Sequence, residues 1–351
     1  MTTLPIEKKI PKRVILLRFG AVGDMILTTP ALNALRQAWP NTHISYATRA
    51  ELVSLIQHNP NIDDVIPLHK HENVWQFAQK LRSKEPELVI DLHHKNLCKV
   101  LRLLMPGIPF VIWHKRDLSE TLRVRLLQQK PRSTLPTATR FHKAIEQSVG
   151  HALPPGRLQS FLGPEDAENA RRLLVAAGVD MTRPIIGLSP GANWQTKQWP
   201  IAHYSELAQR ALNHGLQVVV QGNNAEKPLG RIIAENAPGS VDLCGQLDLP
   251  TLGGLLSWCS AFVTNDTGPM HMARGLTVPT LALFGSTDPA MFDFTGHALQ
   301  WAGVECAPCS FFGKSQCPKG HFRCMQDISP ASAWAALQTL MAAKRPEFLS
   351  A

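Results

Sequence analysis

One pattern, met twice along the chain, constrains the fold more than any other feature. Short apolar runs rich in β-branched residues alternate with stretches of helical periodicity. In the first half, the strands are predicted over Arg13 to Phe19, "HISYAT", "VIPL" and "LVIDLH", with helices over Ala31 to Trp39, Glu51 to Gln57 and Val74 to Arg82. Near-continuous apolar strands separated by helices imply parallel strands with crossovers. The Pro- and Gly-containing segment from Leu153 to Asp166 interrupts the rhythm. After a helix over Ala167 to Ala177 it resumes through "PIIGLSPGA", a helix from His203 to Asn213, "LQVVVQG", a helix near Leu229 to Asn236, "AFVTND" and "TLALFGST". The expectation is an α/β protein of two Rossmann-like domains, residues 1–155 and 166–330, with parallel sheets facing across a cleft, followed by a C-terminal helix and tail over 331–351. A chain of 351 residues is the length for two such cores.

Charge is distributed unevenly. The formal net charge is +9, yet up to Gly150 there are 22 Lys and Arg against 12 Asp and Glu, so the first half carries all of the excess. The excess is densest from Lys95 to Lys143, where 11 basic residues face only Asp117 and Glu120. Such a patch suits a polyanion, an anionic membrane surface or a phosphorylated substrate, and a solvated basic face is the plain alternative. Nucleic acid is disfavoured, because the patch lacks interleaved aromatics for base stacking and Tyr occurs only twice in the chain. The N-terminal stretch lacks an apolar core segment before Val14, and later apolar runs are broken well short of ~18 residues, so a cytoplasmic location without a membrane span is expected.

Three stretches carry chemistry. In "VILLRFGAVGDMILTTPAL", Asp24 stands behind Gly20 and Gly23 where a strand hands over to a helix. A nucleotide-binding glycine turn places a phosphate at that position, and a carboxylate would repel it. Something other than a phosphate should therefore face this loop, and a helix cap is the structural alternative. In the second half, "LSPGANWQTKQWP" ends a strand at Ser189, allows close backbone approach at Gly191 and adds the positive charge of Lys197. In "FVTNDTGPMHMARG", a strand ends in Asn265 and Asp266, and Pro269 opens a helix whose first N–H groups, from Thr267 and Gly268, are free to meet an anion. Together these groups would hold a diphosphate. Asp266 alone could be a cap, and His271 alone a core histidine.

These stretches, with "NDTGPMHMARGLTVPTLALFGSTDP" and the cysteine-rich "CAPCSFFGKSQCPKGHFRCMQDISP", resemble the lipopolysaccharide heptosyltransferases of glycosyltransferase family 9 over almost the whole chain, and the "SPGA" loop and cysteine segment look more like type II than type I. The resemblance implies a GT-B fold and an inverting transfer from ADP-heptose to the inner core of lipopolysaccharide, on Kdo or heptose, with no metal in the reaction and no cofactor required. It implies Asp24 as catalytic base and Lys197 on the departing diphosphate. It also implies Asp266, Thr267, Gly268 and His271 on the donor, with Ser189 and Gly191 lining the same loop and Glu226 in "QGNNAEK" accepting from ribose hydroxyls. Arg18, Gly23, Lys95 and Arg123 fall on the acceptor side, although "DLHHKN" departs from the family's Asp-x-Gln form. The implied partners are ADP-heptose, a lipid A–Kdo core acceptor and, transiently, the anionic cytoplasmic face of the inner membrane, with the enzyme a monomer. Another GT-B nucleotide-sugar transferase, an epimerase or a non-catalytic nucleic-acid-binding protein are the competing readings.

Four of seven cysteines form C-x2-C-x7-C-x6-C over Cys306, Cys309, Cys317 and Cys324, with His321 nearby. Thiolates at this density suit zinc or iron, but the spacing is not that of a standard finger. A bound metal and a reduced, partly packed loop both remain open from sequence.

Overall fold

A computed structural model of the protein describes residues 10–113 and 135–343. Arg123 and the other basic positions between 114 and 134 lie outside the described residues. The chain divides into two compact units, the first comprising residues 10–113 and 135–159 and the second residues 160–343 among those described.

In the first unit, β1 (Arg13–Leu17), α1 (Val22–Leu27), α2 (Thr29–Ala38), β2 (His43–Arg49), β3 (Asp64–Leu68), α3 (Val74–Arg82), β4 (Leu88–Asp91), α4 (Asn96–Leu104), β5 (Phe110–Ile112) and α5 (Thr137–Val149) follow in order, with a 3-10 turn at Ala50–Leu55. All five strands pair in parallel in the order β3-β2-β1-β4-β5. The order reverses between β1 and β4, and in open α/β sheets ligands bind in the crevice beyond the carboxyl ends of strands at such a point. The strand foreseen to Phe19 ends at Leu17, the helix foreseen from Ala31 begins at Thr29, and a separate short helix, α1, precedes it. α1 already includes Gly23 and Asp24, so Gly23 is helical rather than part of the loop; only Gly20, at φ 131°, uses the left-handed freedom of the turn.

The second unit contains α6 (Asp166–Ala176), β6 (Ile185–Ser189), α7 (Ile201–Asn213), β7 (Gln217–Val220), α8 (Lys227–Asn236), β8 (Val241–Asp242), α9 (Leu249–Trp258), β9 (Ala261–Asn265), α10 (Gly268–Gly275), β10 (Thr280–Phe284), β11 (Ala298–Trp301), α11 (Arg323–Gln326) and α12 (Pro330–Ala342). Its six parallel strands run β11-β10-β9-β6-β7-β8, with the reversal between β6 and β9. β6, β9 and β10 are buried along their whole length, because helices cover both faces of the sheet. Each Val, Leu, Ile or Phe buried there stabilises the fold by ~1.5–3 kcal/mol. α12 packs on α7 and against β9, β10 and β11, and belongs to this core. No described helix is long and apolar enough to cross a membrane.

Candidate active site

At the switch point of the first unit, β1 runs directly into Arg18, whose side chain is only 5% exposed. Burial of a guanidinium demands partners. Its Nη1 donates to the Leu92 carbonyl just beyond β4 at 2.6 Å, and its Nη2 pairs with Asp24 Oδ2. The guanidinium also lies 5.2 Å from the ring centre of Phe141 and 5.9 Å from that of Trp113, within cation–π range. Asp24 is the third residue of α1, where the positive helix end favours an anion. It makes no cap: Ala21 is the N-cap residue and receives no side-chain bond. α1 is seated on β2 through the buried Tyr46 hydroxyl, which meets Thr28 Oγ1 at 3.1 Å and Met25 Sδ at 3.6 Å. The outcome is a carboxylate fixed by a buried arginine on one side while 38% of its side chain remains exposed.

Next to it, Asp91 at the end of β4 is buried and accepts from the amides of His93 and His94 at 2.9 and 2.8 Å. This closes the turn into α4, for which Lys95 is the exposed N-cap residue. Lys95 is joined to Arg18 only through this turn. Arg18 itself is not presented to solvent; it lies beneath Asp24.

At the switch point of the second unit the charges are reversed. Lys197, closing a 3-10 turn over Gln195–Lys197, places Nζ 2.8 Å from Asp266 Oδ2, with side-chain exposures of 14% and 9%. The Thr287 hydroxyl donates to the same oxygen at 2.9 Å. Burial alone would raise the Asp266 pKa, but Lys197, with the Thr287 hydroxyl in support, holds it below the usual carboxylate range. Thr267 is the N-cap of α10, whose leading N–H groups have no intrahelical acceptor. His271, inside α10, is buried and stacks edge-on against Phe292 at 4.7 Å. Burial, with Arg274 beside it, pushes its pKa down to about 3, so the imidazole is neutral at physiological pH. Its Nδ1 has no hydrogen-bond partner among the described residues.

The remaining residues foreseen for the donor join this network. Asn265, fully buried at the end of β9, donates to the carbonyls of Pro190 and Gly191 at 2.9 and 3.1 Å and accepts from the Trp199 amide at 3.1 Å. It thereby ties the loop after Ser189 to the start of α7. Glu226 packs so close to Gly191 that a Cβ there would come within 1.8 Å of its Oε1, so any larger residue would displace the Glu226 carboxylate. The Glu226 Oε2 accepts from the Asn223 amide at 2.7 Å in a capping box. The sequence assigns no role to Asn265 or Thr287; the one signal it offers is an Asn closing an otherwise apolar strand.

Two parallel doubly wound sheets, each gathering its polar side chains at its own switch point, are the architecture of the GT-B glycosyltransferases. The chain belongs to glycosyltransferase family 9 (heptosyltransferase), whose family model matches residues 74–319. It is 28% identical over 332 residues to lipopolysaccharide heptosyltransferase 1 of Pseudomonas aeruginosa, covering 85% of this chain and 86% of that protein. It is 26% identical over 343 residues to lipopolysaccharide heptosyltransferase 2 of Salmonella typhimurium, covering 91% and 96%. The crystal structure of the glycosyl transferase family 9 protein from Veillonella parvula superimposes with a TM-score of 0.80 at 23% identity, covering 95% of this chain and 98% of that one. The protein is thus a glycosyltransferase. The two relatives are numbered as different heptosyltransferases and match almost equally, so whole-chain identity does not favour the second type.

Proposed function

We propose that this enzyme transfers heptose from ADP-heptose to a Kdo or heptose hydroxyl of the lipopolysaccharide inner core, with inversion at the anomeric carbon. Asp24 accepts the proton of the attacking hydroxyl as the new C1–O bond forms and the bond from C1 to the diphosphate oxygen breaks. The charge that gathers on ADP is met by Lys197 and the leading amides of α10, groups fixed before the reaction begins. Ser189, Gly191 and His271 line the donor, Glu226 takes the nucleotide ribose, and Gly23 and Lys95 stand on the acceptor side. The observation that carries this reading is Asp24 itself, a carboxylate anchored on a buried arginine, exposed over a third of its side chain and free of any capping duty.

The acceptor is a lipid, and α4 provides a surface suited to its membrane. Val100 and Leu103 are exposed there, Leu103 at 79%, among the exposed Lys95, Lys99 and Arg102. We assign this face to transient contact with anionic lipid, where each basic residue contributes ~1 kcal/mol. The test of the whole reading is ADP release with purified core acceptors, comparing ADP-heptose with UDP- and GDP-sugars, and the anomeric configuration of the product by NMR. Release only from another nucleotide sugar, or a retained configuration, would overturn it.

A further inference from the structure

The four cysteines of the C-terminal segment occupy one place. Cys306, Cys309, Cys317 and Cys324 all line a single cavity of about 170 Å³, together with Lys314 and Lys319. None is in a disulfide. Cys306 Sγ also lies 3.5 Å from His321 Nε2.

The surrounding chain needs an organiser. Between Trp301 and Arg323 there is no helix or strand, and a connection of this length inside a compact unit needs something to fix its course. Within it, the amides of Cys309 and Ser310 donate to the Ser286 carbonyl at 3.0 Å, and Lys314 ties its middle to the loop that carries Lys197. The Lys314 amide donates to Thr196 Oγ1 at 2.7 Å, and the Thr196 amide donates back to the Lys314 carbonyl at 3.1 Å. A Cβ on Gly313 would lie 2.5 Å from Trp194 Cβ and 2.9 Å from Lys197 Cδ. The segment is therefore the wall against which the Lys197 side chain rests.

We propose that Cys306, Cys309, Cys317 and Cys324 bind one thiolate-selecting transition metal ion, zinc or iron, whose purpose is to fix this wall and so the position of Lys197. Four sulfur ligands from four positions form a closed, structural type of site, with no coordination position left for chemistry. A divalent ion with four thiolates carries two net negative charges, which the ammonium groups of Lys314 and Lys319 offset. Each cysteine that binds releases its proton to solvent. Among the described residues no three Cys, His, Asp or Glu side chains already stand at ligand geometry, so the proposal requires the thiols to turn into the cavity when the ion binds. The role in donor binding rests on the assignment of Lys197 to the diphosphate; the metal site itself does not.

The test starts with the intact enzyme, purified without chelator from cultures supplied with zinc and, separately, with iron. Elemental analysis is expected to find about one ion per chain in one of the two preparations. Cobalt added to chelator-stripped enzyme is expected to produce thiolate-to-cobalt charge-transfer absorption and the intense visible bands of tetrahedral coordination. Cys309→Ser and Cys317→Ser should abolish both, whereas Cys98→Ala and Cys244→Ala, outside the cavity, should retain both. Chelation should weaken ADP binding about tenfold, the scale on which supporting groups act on a site. Absence of stoichiometric metal in both preparations together with a featureless cobalt titration of the wild type would refute the site, as would formation of disulfides among the four in place of metal uptake. Metal bound with unchanged ADP affinity would refute its role at Lys197 and leave the ion as a support of the loop alone. Elemental content and the cobalt spectrum do not depend on turnover, so they decide the site even if the donor proves not to be ADP-heptose.

Discussion

Lys197→Met probes the electrostatics of the second unit's switch point. Lys197 and Asp266 are 2.8 Å apart with 14% and 9% of their side chains exposed, so solvent screens the pair little. Removing one partner of a buried pair costs roughly 3–5 kcal/mol, because the other charge is left behind. The Thr287 hydroxyl still donates to Asp266, which argues for the lower end, about 3 kcal/mol. The pH dependence gives the argument its sign. In the wild type the Asp266 pKa is lowered on folding, so its contribution is present above the ordinary carboxylate pKa and lost as pH falls through the folded value. Without Lys197, burial dominates and the folded pKa rises above the unfolded one. The variant then loses stability as pH climbs from about 4 and recovers it on acidification. Urea unfolding at pH 5 and pH 8 should show the deficit at pH 8 and a smaller one at pH 5, and Lys197→Met combined with Asp266→Asn should recover most of it. ADP binding should weaken in both variants. A Lys197→Met enzyme as stable as wild type at pH 8, or a deficit that is independent of pH and unrelieved by Asp266→Asn, would refute the reasoning.

Asp24→Asn should lower kcat by at least ~100-fold while ADP affinity stays as it was, and near wild-type turnover would remove Asp24 from the mechanism. Arg18→Met should reduce kcat by up to about 100-fold with little change in acceptor KM, because it releases the carboxylate from its set position, and Arg18→Lys should recover part of the rate; equal rates across the three enzymes would deny Arg18 a positioning role. His271 is neutral when folded, with a pKa near 3 against about 6.5 unfolded, so the unfolded chain binds the extra proton and stability should fall as pH drops from 6.5 toward 4.5; His271→Asn should flatten that slope, and an unaltered slope by urea unfolding would count against it. Lys99→Glu with Arg102→Glu should weaken binding to anionic vesicles at low ionic strength, with the difference fading as salt is added, and undiminished vesicle binding at low salt would remove α4 from the membrane contact.

The fold was most legible where burial is complete. β6, β9 and β10 read as continuous apolar runs because neither face meets water. β5, β8 and β11, of three, two and four residues, stand at sheet edges where side chains are half exposed and no pattern builds up. α9 escaped notice for a different reason. "LPTLGGLLSW" is apolar nearly all round and contains two glycines, so it has neither an amphipathic stripe nor good helix propensity. Its Gly254 is needed for packing, since a Cβ there would come within 2.0 Å of the Asp166 carbonyl of α6. Propensity loses to close helix contact at this point.

Within the site, sequence disclosed the groups that are out of place locally: an acid behind a glycine turn, a lysine after a strand end, an Asp-Thr-Gly before Pro269. It did not disclose what fixes them. Arg18 is held by Leu92, Trp113 and Phe141, and Asp266 by Thr287, pairings that cross strands and leave no local period. These partners nevertheless obey one rule. In both units the decisive side chains leave the two strands that flank the reversal of order, β1 and β4 in the first, β6 and β9 in the second. Each unit sinks one charge and presents its opposite. In the first, the buried member is Arg18 and the more exposed member is Asp24; in the second, the buried member is Asp266 and the more exposed member is Lys197. Burying a cation beneath an anion fixes a carboxylate at the first switch point, and burying an anion beneath a cation fixes an ammonium at the second. One sheet topology thus presents opposite charges because the sign of the buried charge is reversed between its two copies.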